Sequence, residues 1–241
     1  MVSKNTLKTI KSLATKKGRE THKQFVVEGY KSVCELLETT LEAVMVLVTE
    51  GLDTIEGTQC ETITPKEMQQ ISSLKTAPGY LAIFKMPETH ELPQTGRILV
   101  LDDIQDPGNL GTIMRLCDWF GISHIVCSKN TVDHYNPKAV QASMASIGRV
   151  HVYYTDLEKY LSQLQLPILV TAMNGTSIYK NILPENAALV LGNESHGVSS
   201  AIMNLGKAYT IPQYGTQTTE SLNVATASAI ILAEWLRTTE T

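Results

Sequence analysis

The sequence predicts an α/β chain in two parts: a small N-terminal α/β unit at residues 1–90, and a larger unit at 97–241 built on a parallel sheet. Three observations carry this. Hydrophobic residues make up 43% of the 241 and charged residues 18%, enough for a buried core and too little charge for a disordered chain. The stretch Pro87 to Gly96 is polar, bracketed by prolines and closed by glycine, which marks a linker. Beyond it, short continuous apolar runs alternate with helix-period segments, the pattern of parallel strands covered on both faces.

The elements follow in order. Residues 5–17 predict a basic helix with Leu7, Ile10, Leu13 and Ala14 on one face. Strands are expected near 25–29, 43–48 and 80–84, and helices over 31–37 and 65–74. Thr64 before Pro65 is a strong helix start, since a threonine hydroxyl caps the free N–H groups and proline fits the first turn. After the linker, strands are predicted at 97–101, 124–127, 150–153, 168–172, 188–191 and 208–211. Helices are predicted at 111–120, 138–145, 157–164 and 222–237.

Charge and composition exclude several classes. No apolar run approaches a membrane span, and Met1 to Lys17 lacks the apolar stretch of a secretory signal, so a cytoplasmic protein without membrane contact is expected. Cys34, Cys60, Cys117 and Cys127 have neither C-x-x-C spacing nor histidines at zinc-ligand spacing, so no metal is expected. Net charge is −4, yet eight Lys/Arg fall between Lys4 and Lys31 against Glu20 and Glu28. Lys11, Lys16, Lys17 and Arg19 within that stripe are candidate phosphate contacts; a solvated helix face is the plain alternative.

In an open parallel sheet, ligands bind at the carboxyl ends of the strands, and three loops there are unusual. The first runs from Asp102 to Gly111 into a helix carrying Arg115 among apolar neighbours. Asn109 there reads as a helix cap or a ligand contact, and Arg115 as an ion-pair partner of Asp103 or Asp118 or as a functional cation. The second, Leu191-Gly192-Asn193-Glu194-Ser195-His196-Gly197, lacks the Lys-Ser/Thr of a phosphate loop and the frame of a nucleophile elbow. The third, from Ile211 to Ala225, enters a helix with Ser221 as a natural N-cap and Asn223 in the first turn, where asparagine is a poor helix former. No G-x-G-x-x-G follows any strand, which disfavours dinucleotide binding.

Taken in this order, the three loops resemble the three motifs of the SpoU (TrmH-like) family of RNA ribose 2′-O-methyltransferases, in the SPOUT superfamily. The resemblance is carried by Asp106-Pro107-Gly108-Asn109-Leu110-Gly111 with Arg115 and Phe120-Gly121, by Leu191-Gly192-Asn193-Glu194 with Gly197, and by Ile211-Pro212 with Ser221-Leu222-Asn223-Val224-Ala225. It covers about residue 97 onward. Ahead of it, Lys11-Ser12-Leu13 through Arg19 and Phe25 to Gly29 look like a substrate-binding domain of that family.

The resemblance implies a sheet whose C-terminal part is threaded into a deep trefoil knot, a homodimer, and S-adenosylmethionine as methyl donor. It implies cofactor contacts at Ala172, Leu191, Gly192, Ile211, Leu222 and Asn223, and places Arg115, Asn109, Glu194, Ser221 and Asn223 in the catalytic site. Holding an arginine neutral near pH 7 costs about 7 kcal/mol. A role in stabilising the developing alkoxide or clamping a phosphate is therefore cheaper than one as general base. Ribosomal RNA is the first expectation for the substrate and transfer RNA the second. A non-catalytic RNA-binding relative and a nicotinamide-dependent dehydrogenase are the competing classes.

Overall fold

A computed structural model describes residues 2–88, 91–215 and 221–237. In chain order the first elements are α1 (Lys4–Ser12), α2 (Lys16–His22), β1 (Gln24–Glu28), α3 (Tyr30–Leu37), β2 (Ala43–Thr49), β3 (Glu61–Ile63), α4 (Pro65–Ile71) and β4 (Tyr80–Lys85). Then come β5 (Arg97–Leu101), α5 (Pro107–Trp119), β6 (His124–Ser128), α6 (Pro137–Ser143), β7 (His151–Thr155), α7 (Leu157–Gln163) and β8 (Ile168–Ser177). The last are β9 (Ala187–Leu191), α8 (Ser200–Met203), β10 (Lys207–Thr210) and α9 (Val224–Arg237). Two compact units form, and they are not the two contiguous stretches that the linker suggests. One comprises Met1–Glu88 with Asp133–Gly148, the other Thr89–Val132 with Arg149–Thr241. Thr89 and His90 of the linker lie outside the described residues.

The first unit is a four-stranded sheet in the order β1-β4-β2-β3 with helices against it. The expected helix at 5–17 is broken in two. Thr15 caps α2 by accepting from the Gly18 N–H, and a Cβ on Gly18 would lie 2.0 Å from the Ser12 carbonyl oxygen. The chain thus folds back on itself at a contact that only glycine allows. Thr64 and Glu67 form the capping box at the start of α4. Phe25, Val33, Leu36, Leu47, Leu81 and Phe84 are fully buried. The segment Asp133–Gly148 joins this unit through chemistry invisible in the local pattern. The Phe25 and Tyr135 rings lie 4.6 Å apart, and Arg19 binds Asp133 at 2.6 Å.

The second unit is a six-stranded sheet in the order β10-β8-β9-β5-β6-β7, with every pairing parallel. The central strands are apolar on both faces because both are covered, and all five residues of β9 are buried. Trp235 of α9 is fully buried, and its indole N–H donates to the Pro184 carbonyl at 2.7 Å. The order sets the carboxyl ends of β8, β9 and β10 side by side, next to that of β5. The β8–β10 ladder breaks there: Ala208 pairs with Val170 but Tyr209 pairs with Thr176. Residues 171–175 are therefore set free of regular pairing beside β10. A Cβ on Gly175 would come 2.9 Å from the Ala208 backbone, and the Thr210 hydroxyl donates to the Met173 carbonyl.

Candidate active site

Helix α5 starts earlier than its apolar period suggests. Asp106 is its N-cap, accepting from the Asn109 N–H at 2.8 Å, and Pro107 fills the first position. The reading of Asn109 as the cap is thereby corrected: the cap is already filled, and the Asn109 amide is free for other partners. Its Nδ2 donates to Glu194 Oε1 at 2.7 Å, and its Oδ1 accepts from Asn223 Nδ2 at 3.0 Å. Three side chains, one from the first turn of α5 and two from the loops after β9 and β10, thus form one line, Asn223–Asn109–Glu194.

The third loop also corrects an expectation. Asn223, not Ser221, caps α9, because its Oδ1 accepts from the Ala225 and Thr226 N–H groups at 2.9 and 3.2 Å. A side chain at the cap projects away from the helix axis, so one amide can cap with its oxygen and reach Asn109 with its nitrogen. Ser221 is exposed, and its hydroxyl has no hydrogen bond among the described residues. Thr216 to Glu220 of this loop lie outside the described residues.

Arg115 is exposed on α5. The ion-pair partners that would make it structural are engaged elsewhere: Asp118 pairs with Arg149 at 2.8 Å and Asp103 with His196 at 3.3 Å. Arg115 makes no hydrogen bond or ion pair among the described residues. It shares an exposed stripe of α5 with Thr112 and with Trp119, which is 84% exposed.

The loop after β9 is a tight reverse turn. The Asn193 and Gly197 backbones exchange hydrogen bonds at 3.1 and 2.9 Å, and the Asn193 amide oxygen accepts from the Ser195 N–H. A Cβ on Gly192 would lie 2.2 Å from Gly197 C and Val198 N. The need for glycine at 192 is thus set by the loop's own backbone. Asp102 is buried and accepts from the Ser199 N–H at 2.9 Å, tying the loop's far end to β5. Asp102, Asp106 and Asn193 carry structural roles that sequence reasoning did not assign. Their signal was present as polar side chains clustered just past two apolar strands.

The expected cofactor contacts fall at the sheet's carboxyl edge. Ala172 lies in the unpaired part of β8, Leu191 ends β9, Gly192 begins the turn, Ile211 follows β10, and Leu222 is 45% exposed beside Asn223. In the first unit the basic residues divide. Lys11, Lys16 and Lys17 are exposed. Arg19 is 3% exposed, donates to the Leu13 and Ala14 carbonyls and pairs with Asp133, so it is a core residue and not part of the basic face. Beside it, burial pushes the His134 imidazole down to about 4, with Asp133 pulling the other way.

Residues 96–233 match the family model described as SpoU rRNA Methylase family. The chain belongs to this family. Residues 4–82 match a second model, the MRM3-like substrate binding domain. Among relatives of this SpoU chain is a Bacillus subtilis 23S rRNA (guanosine(2553)-2′-O)-methyltransferase, RlmP, 31% identical over 235 residues and covering 94% of each chain. A solved structure described as a TrmH-family RNA methyltransferase candidate from Porphyromonas gingivalis shares 35% identity. It covers 98% of each chain with a TM-score of 0.85. An AdoMet-bound rRNA methyltransferase from Sinorhizobium meliloti is 25% identical, with a TM-score of 0.84 over 98% of this chain and 97% of that one.

Proposed function

We propose that this protein transfers the methyl group of S-adenosylmethionine to a ribose 2′-hydroxyl of ribosomal RNA. The observation that carries the reading is the line Asn223–Asn109–Glu194 at the carboxyl edge of the sheet, with the cation Arg115, which has no ion pair among the described residues, on the same helix as Asn109. The names of the relatives support it: one is a 23S rRNA 2′-O-methyltransferase and one an AdoMet-bound rRNA methyltransferase.

The strand ends suit the cofactor chemically. An adenosine needs backbone donors and acceptors for its edge and apolar groups for its face. Residues 171–175 present backbone released from the ladder, and Leu222 and Met173 present exposed apolar side chains, Met173 at 62%. Ala172, Leu191, Gly192, Ile211, Leu222 and Asn223 would hold it. When bound, S-adenosylmethionine supplies an electrophilic methyl group on a sulfonium.

The protein's own task is then alignment and charge. Asn109, held at both ends of its amide, and Glu194 orient the ribose; alignment of this kind supplies a large share of the rate. Arg115 faces the developing negative charge on the ribose oxygen or the neighbouring phosphate. Ser221, whose hydroxyl has no hydrogen bond among the described residues, is available to the substrate. Lys11, Lys16 and Lys17 add phosphate contacts from the first unit.

The assembly and setting belong to the same proposal. In the second unit Trp119 is 84% and Ile182 81% exposed, large apolar surfaces that support burial in a homodimer. The four cysteines are free thiols, which supports a reducing, cytoplasmic setting. The knotted threading of the C-terminal strands is part of the reading as well. The test incubates the purified chain and S-adenosylmethionine carrying a tritiated methyl with ribosomal and transfer RNA from cells lacking the protein. Label in ribosomal RNA at a ribose resistant to alkaline cleavage is expected. Label in transfer RNA alone, or on a base, would overturn the substrate.

A further inference from the structure

Asp103 is the point at which three loops meet. It follows β5 with φ +61°, a conformation that side chains bearing a Cβ seldom adopt. Its N–H donates to Ser128 Oγ at 2.9 Å, at the end of β6, and its carbonyl accepts from Asn193 Nδ2 at 2.8 Å, after β9. One oxygen of its carboxylate accepts from Gln105 Nε2, and His196 Nε2 lies 3.3 Å from the other.

We propose that Asp103 and His196 form a clamp that positions Glu194 against Asn109; both are positioning residues, and the proposal rests on the methyltransferase reading above. Asn193 and His196 stand on either side of Glu194 in the turn, and both are tied to Asp103. The Asn193–Gly197 backbone pair closes the turn beneath them. Glu194 is thereby held from both directions and directed at Asn109, 2.7 Å away. If the sharp bend after β5 were the only requirement, glycine would meet it without strain. The carboxylate is what glycine lacks.

Magnitude separates positioning from stabilisation. The His196 side chain is 60% exposed and that of Asp103 27%. Even with the imidazole protonated, a pair so open to water contributes about 0–1 kcal/mol to stability. The same contact can still govern rate, because displacing a catalytic group by about 1 Å costs up to about 100-fold.

The test uses the full chain and four variants: Asp103→Asn, Asp103→Gly, His196→Gln and His196→Ala. Asp103→Asn and His196→Gln keep polar atoms facing each other at the clamp and should retain kcat within about threefold. Asp103→Gly and His196→Ala remove it and should lower kcat about tenfold, with KM for S-adenosylmethionine within about twofold. Hydrogen exchange of Glu194–Val198, which requires no activity, should quicken in the Gly and Ala variants and not in the Asn and Gln ones. Wild-type kcat in Asp103→Gly would show that only the bend matters and would overturn the clamp, as would unchanged exchange in both Gly and Ala variants. A wild-type chain that methylates no RNA would sink the activity reading, while the exchange result would still decide the clamp.

Discussion

Replacing Asn109 with aspartate keeps its shape and reverses one of its bonds. The native Nδ2 donates to Glu194 at 2.7 Å; an aspartate oxygen there would face a carboxylate oxygen instead. The lost contact is a hydrogen bond to a charged acceptor, worth about 1.5–3 kcal/mol, and like-charge repulsion adds to it. Both groups are only half-buried, so the lower end applies, about 1.5–2 kcal/mol. In a unit of this size that lowers Tm by about 3–8 °C, and expressed in the transition state it lowers kcat/KM by about 10–30-fold. Glu194→Gln added to Asn109→Asp restores the pairing with donor and acceptor exchanged, since the glutamine Nε2 now donates to the aspartate. Asn223 can still donate to the second aspartate oxygen. Thermal unfolding of the wild type, the two single variants and the double variant is the assay, with methyl transfer measured alongside. The double variant should recover most of the lost Tm. Additive single effects, or an Asn109→Asp variant with wild-type Tm and rate, would refute the claim that these groups are coupled.

Arg115→Ala should abolish methyl transfer and leave Tm unchanged within about 1 °C, because the exposed guanidinium has no partner to lose among the described residues; near-native single-turnover rates would contradict its role. Changing Lys11, Lys16 and Lys17 to alanine should weaken RNA binding and flatten its salt dependence by about one unit per lost contact. Arg19→Ala, by contrast, should cost about 3–5 kcal/mol in stability, since it strands Asp133 and two carbonyls; equal behaviour of the two variants in thermal unfolding would refute this division. His134 fixes a pH dependence. Its imidazole is held near 4 in the fold against about 6.5 when unfolded, so the unfolded chain binds the extra proton first. Stability should fall as pH drops from about 6.5 to 4, by about 3 kcal/mol at most, and His134→Asn should flatten that slope in urea unfolding. Gly192→Val should lower Tm and activity together, because its Cβ would collide with the Gly197–Val198 backbone; loss of cofactor affinity with a native Tm would assign the glycine to the ligand instead.

Much of the architecture was legible in the chain. The apolar runs of β5, β6 and β9 announce strands covered on both faces, and Thr64-Pro65 announces α4, because such features depend only on neighbours a few residues away. The break at Leu13 to Thr15 was missed, because it depends on Gly18 packing against the Ser12 carbonyl once the chain has turned. The placement of Asp133–Gly148 in the first unit was missed for a similar reason. Its apolar period is that of an ordinary crossover helix, and its partners Arg19 and Phe25 lie more than a hundred residues earlier.

The same division runs through the site. Local sequence determined which residues stand at the carboxyl ends of the strands, and the motif order determined the family. Tertiary structure decided what each of them does with its polar atoms. An isolated asparagine near a helix start can cap it or reach outward, with little energetic difference between the two. Asp106 takes the cap of α5, so Asn109 is released to join Glu194 and Asn223. Asn223 takes the cap of α9, so Ser221 is left without a hydrogen bond among the described residues. Arg19 and Lys17 look alike in sequence, yet one is sealed among carbonyls and a carboxylate while the other stands in water. Hydrogen bonds and ion pairs are short-ranged and directional, so their partners are settled only when distant segments arrive within about 3 Å of each other.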